Sequence, residues 1–222
     1  MLVKDRMSSN VLTVTPDTTV PDALAKMEEQ GIRRLPVVDK DRLVGIVTLL
    51  DLVRASPSPA TSLSVWELNY LLAKLPVKDV MAKKVFSVTP DTTIDQAAAL
   101  MREHSVGGLP VVEEDRVVGM ITETDIFTAF LEMLGVHRGG LRITLEIKEK
   151  HGALAEVAKL FTDYGVNIVS TVAFVSDKDK DLAHSVWRIE ACENPEDLIN
   201  YIQAEGYKVV HYSENGTAQN LR

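Results

Sequence analysis

The sequence predicts a mixed protein of the α+β or α/β class that is built from three units, the first two of which are copies of each other. Residues 3–55 align with residues 77–129 without a gap, and about half of the aligned positions are identical. In residues 141–212 the spacing of the apolar residues predicts strands and helices in a different order. Because only two copies occur, we expect them to form a pseudo-twofold pair and not a solenoid.

Each copy is predicted to fold in the order β-α-β-β-α. The first helix is signalled most clearly in the second copy, where Thr93 and Gln96 have the spacing of a capping box. Thr19 and Asp22 occupy the same places in the first copy. Polar connections of hairpin length join the last two strands of each copy. The predicted strands are residues 11–14, 35–38 and 43–48 in the first copy, and 85–88, 109–112 and 117–122 in the second.

The third unit is predicted to fold in the order β-α-β-β-α-β, which is the ferredoxin-like arrangement. Residues 141–147 alternate between apolar and polar side chains, as in a half-buried strand. Gly165 ends the first helix, and Pro195 and Gly206 frame the second. The other elements are predicted as strands at residues 168–175, 185–191 and 208–212.

The boundaries between units follow from changes in composition. Proline and serine mark a linker with a short helix after the first copy, and glycines mark a hinge after the second. The predicted segments are a first domain at residues 1–56, a linker at 57–76, a second domain at 77–134, a hinge at 135–140, a third domain at 141–212 and a tail at 213–222.

Composition and charge exclude several functions. The chain carries 24 basic and 32 acidic residues, and this net charge of −8 argues against binding to nucleic acid. Cys192 is the only cysteine, so no disulfide forms within the chain. No secretory signal or membrane span is visible, so we expect a cytoplasmic protein without membrane contact. No catalytic motif and no paired metal ligands occur, so we expect neither an enzyme nor a metal site.

Two motifs carry a resemblance to known families. A Thr-Pro turn follows the first strand of each copy, and Gly-x-x-Thr-x-x-Asp ends at Asp51 and again at Asp125. With these motifs, the duplicated units resemble a tandem pair of CBS domains, known as a Bateman module. The third unit resembles an ACT domain through Gly152-Ala-Leu-Ala and Gly165-Val-Asn-Ile. The order CBS–CBS–ACT is similar to that of the AcuB-type acetoin-utilization accessory proteins.

The resemblance to CBS pairs implies that an adenine nucleotide binds in the cleft between the repeats. The ligand would be AMP, ADP, ATP or S-adenosylmethionine. The residues support this expectation, because the carboxylates of Asp51 and Asp125 could accept hydrogen bonds from both ribose hydroxyls. The hydroxyls of Thr48 and Thr122 could contact ribose or phosphate. The alternative is that each aspartate serves only as a helix N-cap.

Further residues of the predicted site supply the base contacts and the phosphate charge. The two Thr-Pro turns would read the adenine edge, and apolar residues would form a slot for the base. These residues are Thr15, Pro16, Leu35 and Val38 in the first copy, and Thr89, Pro90, Leu109 and Val112 in the second. Arg33 and Arg34 stand where the second copy has Gly107 and Gly108. Because arginine binds phosphate bidentately, we expect the first site to depend more on phosphate charge. The alternative is that both arginines are solvated or bind surface carboxylates.

The resemblance to ACT domains implies a small effector, often an amino acid, that binds between the first loop and a neighbouring subunit. The candidate residues are Glu149, Gly152 and Asn167. The sequence departs from the amino-acid-binding pattern, because His151 stands where proline is usual, and Ile147 and Glu149 replace polar contacts. The alternative is that this unit serves for dimerisation.

The sequence therefore predicts a non-catalytic regulatory sensor that needs no cofactor and takes an adenine nucleotide as its regulatory ligand. Binding would be relayed through the ACT unit or the dimer to an unidentified downstream protein. We expect a homodimer or a higher homo-oligomer. One alternative is an amino-acid sensor in which the CBS pair is a scaffold, and another is a small enzyme with an unrecognised site.

Overall fold

A computed structural model describes residues 1–55, 73–176, 179–214 and 217–220, with the backbone alone at the last four. The chain divides into two compact units, Met1–Ala129 and Phe130–Arg222. The predicted linker helix at residues 65–74 falls almost wholly outside the described residues. No helix in the described part of the chain has the length and apolar character needed to cross a membrane.

The two repeats of the first unit have the same elements at equivalent positions. Each begins with a three-residue 3-10 helix, Val3–Asp5 or Val77–Asp79. The first repeat continues with α1 (Val20–Gln30), β1 (Arg34–Asp39), β2 (Arg42–Thr48) and α2 (Leu49–Ala55). The second continues with α3 (Ile94–His104), β3 (Gly108–Glu113), β4 (Arg116–Thr122) and α4 (Glu123–Met133).

The first predicted strand of each repeat is wrong as a strand. Residues 11–14 and 85–88 form only isolated parallel bridges, Val14 with Val37 and Val88 with Val111. The extended segment is cut short because a turn begins directly after it. In the first repeat the Thr15 backbone N–H donates to Thr18 Oγ1 at 3.1 Å, and Pro16 has no N–H to continue a ladder.

The remaining strands form one four-stranded antiparallel sheet in the order β1-β2-β4-β3, to which both repeats contribute. The predicted hairpins are confirmed, and each has a two-residue loop with positive φ at both positions. Lys40 and Asp41 have φ values of 48° and 68° in the first loop. Positive φ at both central residues matches the type I′ turns that fit the twist of the flanking strands.

The helix starts predicted from the sequence are also confirmed. Thr93 and Gln96 form a reciprocal capping box at α3. At α1 the Thr19 hydroxyl accepts from the Asp22 backbone N–H at 3.3 Å and donates to the Asp22 carboxylate at 2.7 Å. These local bonds satisfy helix N–H groups that have no partner within the helix.

The N-terminal segments of the two repeats are exchanged. Val3, from the first repeat, is fully buried in the core of the second, and Val77 is fully buried in the core of the first. The Val3 N–H donates to the Thr92 carbonyl at 2.8 Å, and the Val77 N–H donates to the Thr18 carbonyl at 2.8 Å. The two repeats therefore have separate cores, but each core is completed by the N-terminal segment of the other repeat.

Two glycines of the repeated motif make this exchange sterically feasible. A Cβ at Gly45 would lie 2.3 Å from Met81 Sδ, and a Cβ at Gly119 would lie 2.4 Å from Met7 Sδ. Each methionine comes from the opposite repeat. The glycine in Gly-x-x-Thr-x-x-Asp thus makes room for a side chain of the other repeat.

We expect Gly45→Ala to lower the free energy of unfolding by about 1–3 kcal/mol, the usual cost of overpacking a close contact. Urea denaturation followed by circular dichroism measures the change. Gly45→Ala/Met81→Ala is the matched control, since removing the long side chain should recover much of the loss. Equal stability of the wild type and Gly45→Ala would contradict the close contact.

The second unit has the predicted β-α-β-β-α-β order with one added strand. Its elements are β5 (Leu141–Lys148), α5 (Ala153–Tyr164), β6 (Ile168–Val175), β7 (Leu182–Ile189), α6 (Pro195–Ala204), β8 (Lys208–Glu214) and β9 (Thr217–Asn220). The antiparallel sheet has the order β6-β7-β5-β8-β9. Without β9 this is the split β-α-β topology of ferredoxin-like domains.

The core of the second unit lies between the two helices and one face of the sheet. The predicted alternation along β5 is confirmed, because Leu141, Ile143, Leu145 and Ile147 are all buried. Trp187 and Phe161 are the largest fully buried side chains in the described part of the chain, and their ring centroids lie 5.3 Å apart. Gly165 ends α5 in the left-handed conformation, as predicted.

Three predicted boundaries in the second unit differ from the structure. The strand predicted at residues 185–191 begins at Leu182 and ends at Ile189, since its alternating buried face starts with Ala183. The last predicted strand extends through Glu214, and part of the predicted tail forms β9 against it. Pairing with β8 supplies hydrogen-bond partners for the backbone of this segment.

The third difference concerns the hinge predicted at residues 135–140. The Leu134 carbonyl accepts from Ser170 Oγ at 2.8 Å and from Arg188 Nε at 3.1 Å. Arg188 Nη1 also donates to the Gly139 carbonyl at 3.2 Å. These bonds attach the segment to β6 and β7, and the division between the units falls earlier, between Ala129 and Phe130.

Candidate functional site

The Thr-x-x-Asp motifs occupy the starts of α2 and α4. Asp51 Oδ2 accepts from the Thr48 backbone N–H at 2.9 Å and from its hydroxyl at 2.6 Å. Asp125 Oδ2 accepts the same two bonds from Thr122, at 2.8 and 2.7 Å. The threonine is therefore the N-cap, and the aspartate is the third helical residue, whose carboxylate caps the helix start by accepting the threonine N–H. That the aspartate serves the helix alone stays the alternative to ligand binding. Both bonds use Oδ2, which leaves Oδ1 able to accept from a further donor.

A cleft of about 590 Å³ opens beside the first of these motifs. We call it the Asp51 cleft. Residues from both repeats line it, because the N-terminal segments are exchanged. From the first repeat these are Arg33, Arg34, Ile46, Thr48, Leu49, Leu50, Asp51 and Val53, and from the second Ala82, Lys84, Val85, Phe86, Ser105, Val106, Gly107 and Gly108.

A second cleft of about 300 Å³ opens at the pseudo-equivalent place. We call it the Thr122 cleft. Asp125 is not among its lining residues, although Thr122 is. The first repeat supplies Ser8, Asn10, Val11, Leu12, Gln30, Gly31, Ile32, Arg33, Arg34 and Pro36, and the second supplies Gly107, Met120, Thr122, Glu123 and Thr124.

The Thr-Pro turns line neither cleft. The Pro16 carbonyl accepts from the Lys78 N–H at 3.0 Å, and the Pro90 carbonyl accepts from the Lys4 N–H at 2.9 Å. Thr15 and Thr89 each bond a threonine three residues further on within their own turn. The turns therefore anchor the 3-10 helix of the opposite repeat.

The predicted apolar slot is also absent from both clefts. Leu35 and Leu109 are fully buried in the cores of their repeats. Val38 and Val112 are half-buried and line neither cleft, since a bulge in each hairpin falls just before them. Alternate residues of a strand that packs against helices point into the core, so the prediction placed two core residues, Leu35 and Leu109, in the site.

An aromatic residue that the sequence reasoning missed lies in the Asp51 cleft. The ring of Phe86 stacks on the ring of His104 with centroids 3.7 Å apart and planes 8° from parallel. Lys84 Nζ lies 5.1 Å from the centroid of the Phe86 ring. The first repeat has Asn10 and Leu12 at the equivalent positions, and this difference between the copies was the available signal.

The charges of the two clefts differ. Arg33, Arg34 and Gly107 line both clefts, so the two arginines alone do not distinguish the first site from the second. The stronger dependence of the first site on phosphate charge stays a prediction. Lys84 adds a positive charge to the Asp51 cleft. Glu123 adds a negative charge to the Thr122 cleft, at the position that Leu49 takes in the other. Burial lowers the pKa of Arg34, the neighbouring Arg33 lowers it further, and Glu123 acts in the opposite direction.

The second unit has its own cleft of about 590 Å³ beside the start of α5. Glu149 and Gly152 line it together with Lys150, His151 and Phe174. Asn167 directly precedes β6, whereas Phe174 lies near the other end of that strand. The Asn167 amide donates to the Glu190 carboxylate at 3.1 Å. One chain therefore does not bring the three predicted effector residues together.

Comparison with known proteins places the first unit. A CBS domain family model matches residues 3–58 and 77–132, about half of the chain. A CBS domain-containing protein of Dictyostelium discoideum is 35% identical over 136 residues, which cover 60% of this chain and 94% of that protein.

Two solved structures are similar to the same region. The Vibrio cholerae protein described as the acetoin utilization protein AcuB is 33% identical, with a TM-score of 0.51 over 62% of this chain and 95% of that one. CBSX2 in complex with AMP is 34% identical, with a TM-score of 0.50 over 60% of this chain and 97% of that one. The family model matches both repeats at equivalent residues. The chain therefore belongs to the CBS domain family.

Proposed function

We propose that the first unit is a non-catalytic regulatory module that binds an adenine nucleotide in the Asp51 cleft. One observation carries the proposal: an Asp51 carboxylate with one oxygen available lies in the same cleft as Lys84, Arg33 and Arg34. A nucleotide offers ribose hydroxyls to a carboxylate and a phosphate to cations. The AMP complex of the similar protein CBSX2 supports the choice of ligand.

Each part of the nucleotide has a matching group in the cleft. The ribose hydroxyls would donate to Asp51 Oδ1, because Oδ2 already accepts from Thr48. The phosphate would face Arg33, Arg34 and Lys84, which are hydrogen-bond donors with positive charge. The base would pack against the apolar wall near Phe86. S-adenosylmethionine would share the adenosine contacts and lack the phosphate ones.

We also propose that the second unit is an ACT domain that passes the ligand signal to a second copy of the chain or to a downstream protein. Its ferredoxin-like topology and the left-handed Gly152 and Gly165 at the ends of α5 support this assignment. The helix α4 begins after Thr122 and ends just before Leu134. The Leu134 carbonyl accepts hydrogen bonds from Ser170 in β6 and from Arg188 in β7. A role in acetoin utilization rests on the likeness to AcuB alone.

An amino-acid sensor is the second candidate function. The cleft beside α5 favours it, because Lys150 could pair with a carboxylate and Glu149 with an ammonium group. Lys150 Nζ already bonds Glu156 at 2.8 Å, so an amino acid would have to compete with this ion pair.

Thermal unfolding of the full chain with AMP, adenosine, inorganic phosphate and a panel of amino acids separates the two functions. We expect AMP at about 100 times its Kd to stabilise the protein by about 2.7 kcal/mol, because binding to the native state adds to its stability. Adenosine should stabilise it less, and phosphate alone hardly at all. Stabilisation by amino acids and not by AMP would favour the second candidate. No stabilisation by any of these ligands would contradict both.

A further inference from the structure

Arg34 lies between the two clefts and is exposed to both. A Cβ built on Gly107 would lie 2.3 Å from Arg34 Nη2 and 2.8 Å from Glu123 Oε2. The guanidinium of one repeat and the carboxylate of the other therefore both lie close to a residue that has no side chain, and the charge of Glu123 acts on Arg34 without a direct ion pair. The stem of Arg34 continues over Gly108, where a Cβ would lie 3.3 Å from Arg34 Cδ.

This arrangement explains the largest chemical difference between the copies. Residues 33 and 34 are equivalent to residues 107 and 108, and the pseudo-twofold pairing of the repeats brings these positions together. One arginine side chain fills the space over Gly107 and Gly108. A long side chain at either glycine would compete for the same space. Arg34 can therefore take this position only because residues 107 and 108 are glycines.

We propose that Arg34 couples the two clefts, so that an anionic nucleotide in the Asp51 cleft weakens the binding of a second one in the Thr122 cleft. The inference rests on the proposed nucleotide binding. Both clefts share the guanidiniums of Arg33 and Arg34, but only Arg34 lies close to Gly107 together with Glu123. A phosphate in the first cleft therefore competes with Glu123 for the charge of Arg34.

The charges decide the direction of the coupling. Charge-assisted hydrogen bonds from arginine to phosphate are strong and often bidentate, so a bound phosphate is a good competitor for Arg34. Once Arg34 is engaged there, the negative charge of Glu123 in the Thr122 cleft loses part of its compensation, and Arg33 is the cation that remains in the lining of that cleft. The charge of Glu123 disfavours a second phosphate. By linkage, the second ligand weakens the first by the same factor, typically about 5- to 150-fold.

Calorimetric titration of the full chain with AMP and with adenosine tests the coupling. For the wild type we expect a second AMP that binds more weakly than the first by a factor within this range, or too weakly to detect. Adenosine lacks the phosphate and should show a smaller gap between its two steps. Glu123→Gln should strengthen the second AMP step about 5-fold or more, because it removes the negative charge.

Two variants that displace Arg34 in different ways serve as controls. Arg34→Ala removes the guanidinium, whereas Gly107→Ala keeps the charge and displaces it. The atoms nearest the added methyl are the ends of flexible side chains, so Gly107→Ala should fold. Both should weaken AMP binding and narrow the gap between the two steps, with little effect on adenosine. A thermal melt confirms that each variant is folded.

The possible failures are distinct. Two equal AMP steps in the wild type, or a gap that Arg34→Ala and Gly107→Ala leave unchanged, would overturn the coupling and leave the proposed function standing. A single AMP site in both the wild type and Glu123→Gln would also overturn it. If neither AMP nor adenosine binds the wild type, the proposed function fails, and the coupling fails with it.

Discussion

Asp51→Asn should weaken the binding of AMP about 10- to 100-fold, the loss expected for hydrogen bonds to a charged acceptor. The amide oxygen can still accept from Thr48, so the start of α2 should remain capped. The other half of the group becomes an NH₂, which donates and cannot accept from a ribose hydroxyl. The variant therefore removes the proposed ligand contact and preserves the local fold.

Isothermal titration with AMP measures the effect, and Asp125→Asn is the matched control in the other repeat. Asp125 forms the same cap without lining the Thr122 cleft, so we expect its substitution to change AMP affinity less. Asp51→Ala should add a loss of stability of about 1 kcal/mol, because the hydrogen bonds that the carboxylate accepts from Thr48 are lost as well. An unchanged Kd in Asp51→Asn would show that the carboxylate serves the helix alone.

Gly140→Ala should destabilise the second unit by about 3 kcal/mol or more. Gly140 has a φ of +82°, and an added Cβ would lie 2.1 Å from the carbonyl oxygen of Ile189. The left-handed backbone costs an L-residue about 1–2 kcal/mol. The contact with the backbone at the end of β7 adds to this cost, because no flexible side chain can move away.

Gly152→Ala separates the two contributions. Gly152 has a nearly identical φ of +83°, and a Cβ there would meet no atom within 4 Å. We expect a loss of about 1–2 kcal/mol from the backbone alone. Urea unfolding followed by the fluorescence of Trp187, in a Trp66→Phe background, reports on this unit. Equal losses in the two variants would mean that the Ile189 backbone moves freely to accommodate the methyl group.

Local signals predicted much of the fold because the interactions behind them are local. The capping box of Thr93 and Gln96 lies within one helical turn. The alternation of Leu141, Ile143, Leu145 and Ile147 reflects one strand with one buried face. Where a distant partner decides the outcome, local signals failed: nothing near Val3 or Val77 indicates that each packs in the core of the opposite repeat.

The candidate site was predicted only in part for the same reason. Thr48 and Asp51 were recognised through a repeated motif, and the structure places both in one cleft. Phe86 and Lys84, from the other repeat, were missed, because nothing in their local pattern shows which cleft they would join. Leu35 and Leu109 were assigned to the site, since an apolar residue in a repeated motif looks the same whether it faces a ligand or the core.

Sequence alone determined the duplicated units, the order of the helices and hairpin strands, and the aspartates that follow the repeated threonines. Tertiary structure decided how the copies share their parts: Val3 and Val77 exchange cores, and Arg34 lies over Gly107 beside Glu123. The physical reason is that the pattern shared by the two copies reflects interactions within each copy. The sequence of one copy does not show which side chains of the other copy it will contact. Near the pseudo-twofold axis there is room for one long side chain, so Arg34 can lie there only because the equivalent residues of the second copy are glycines.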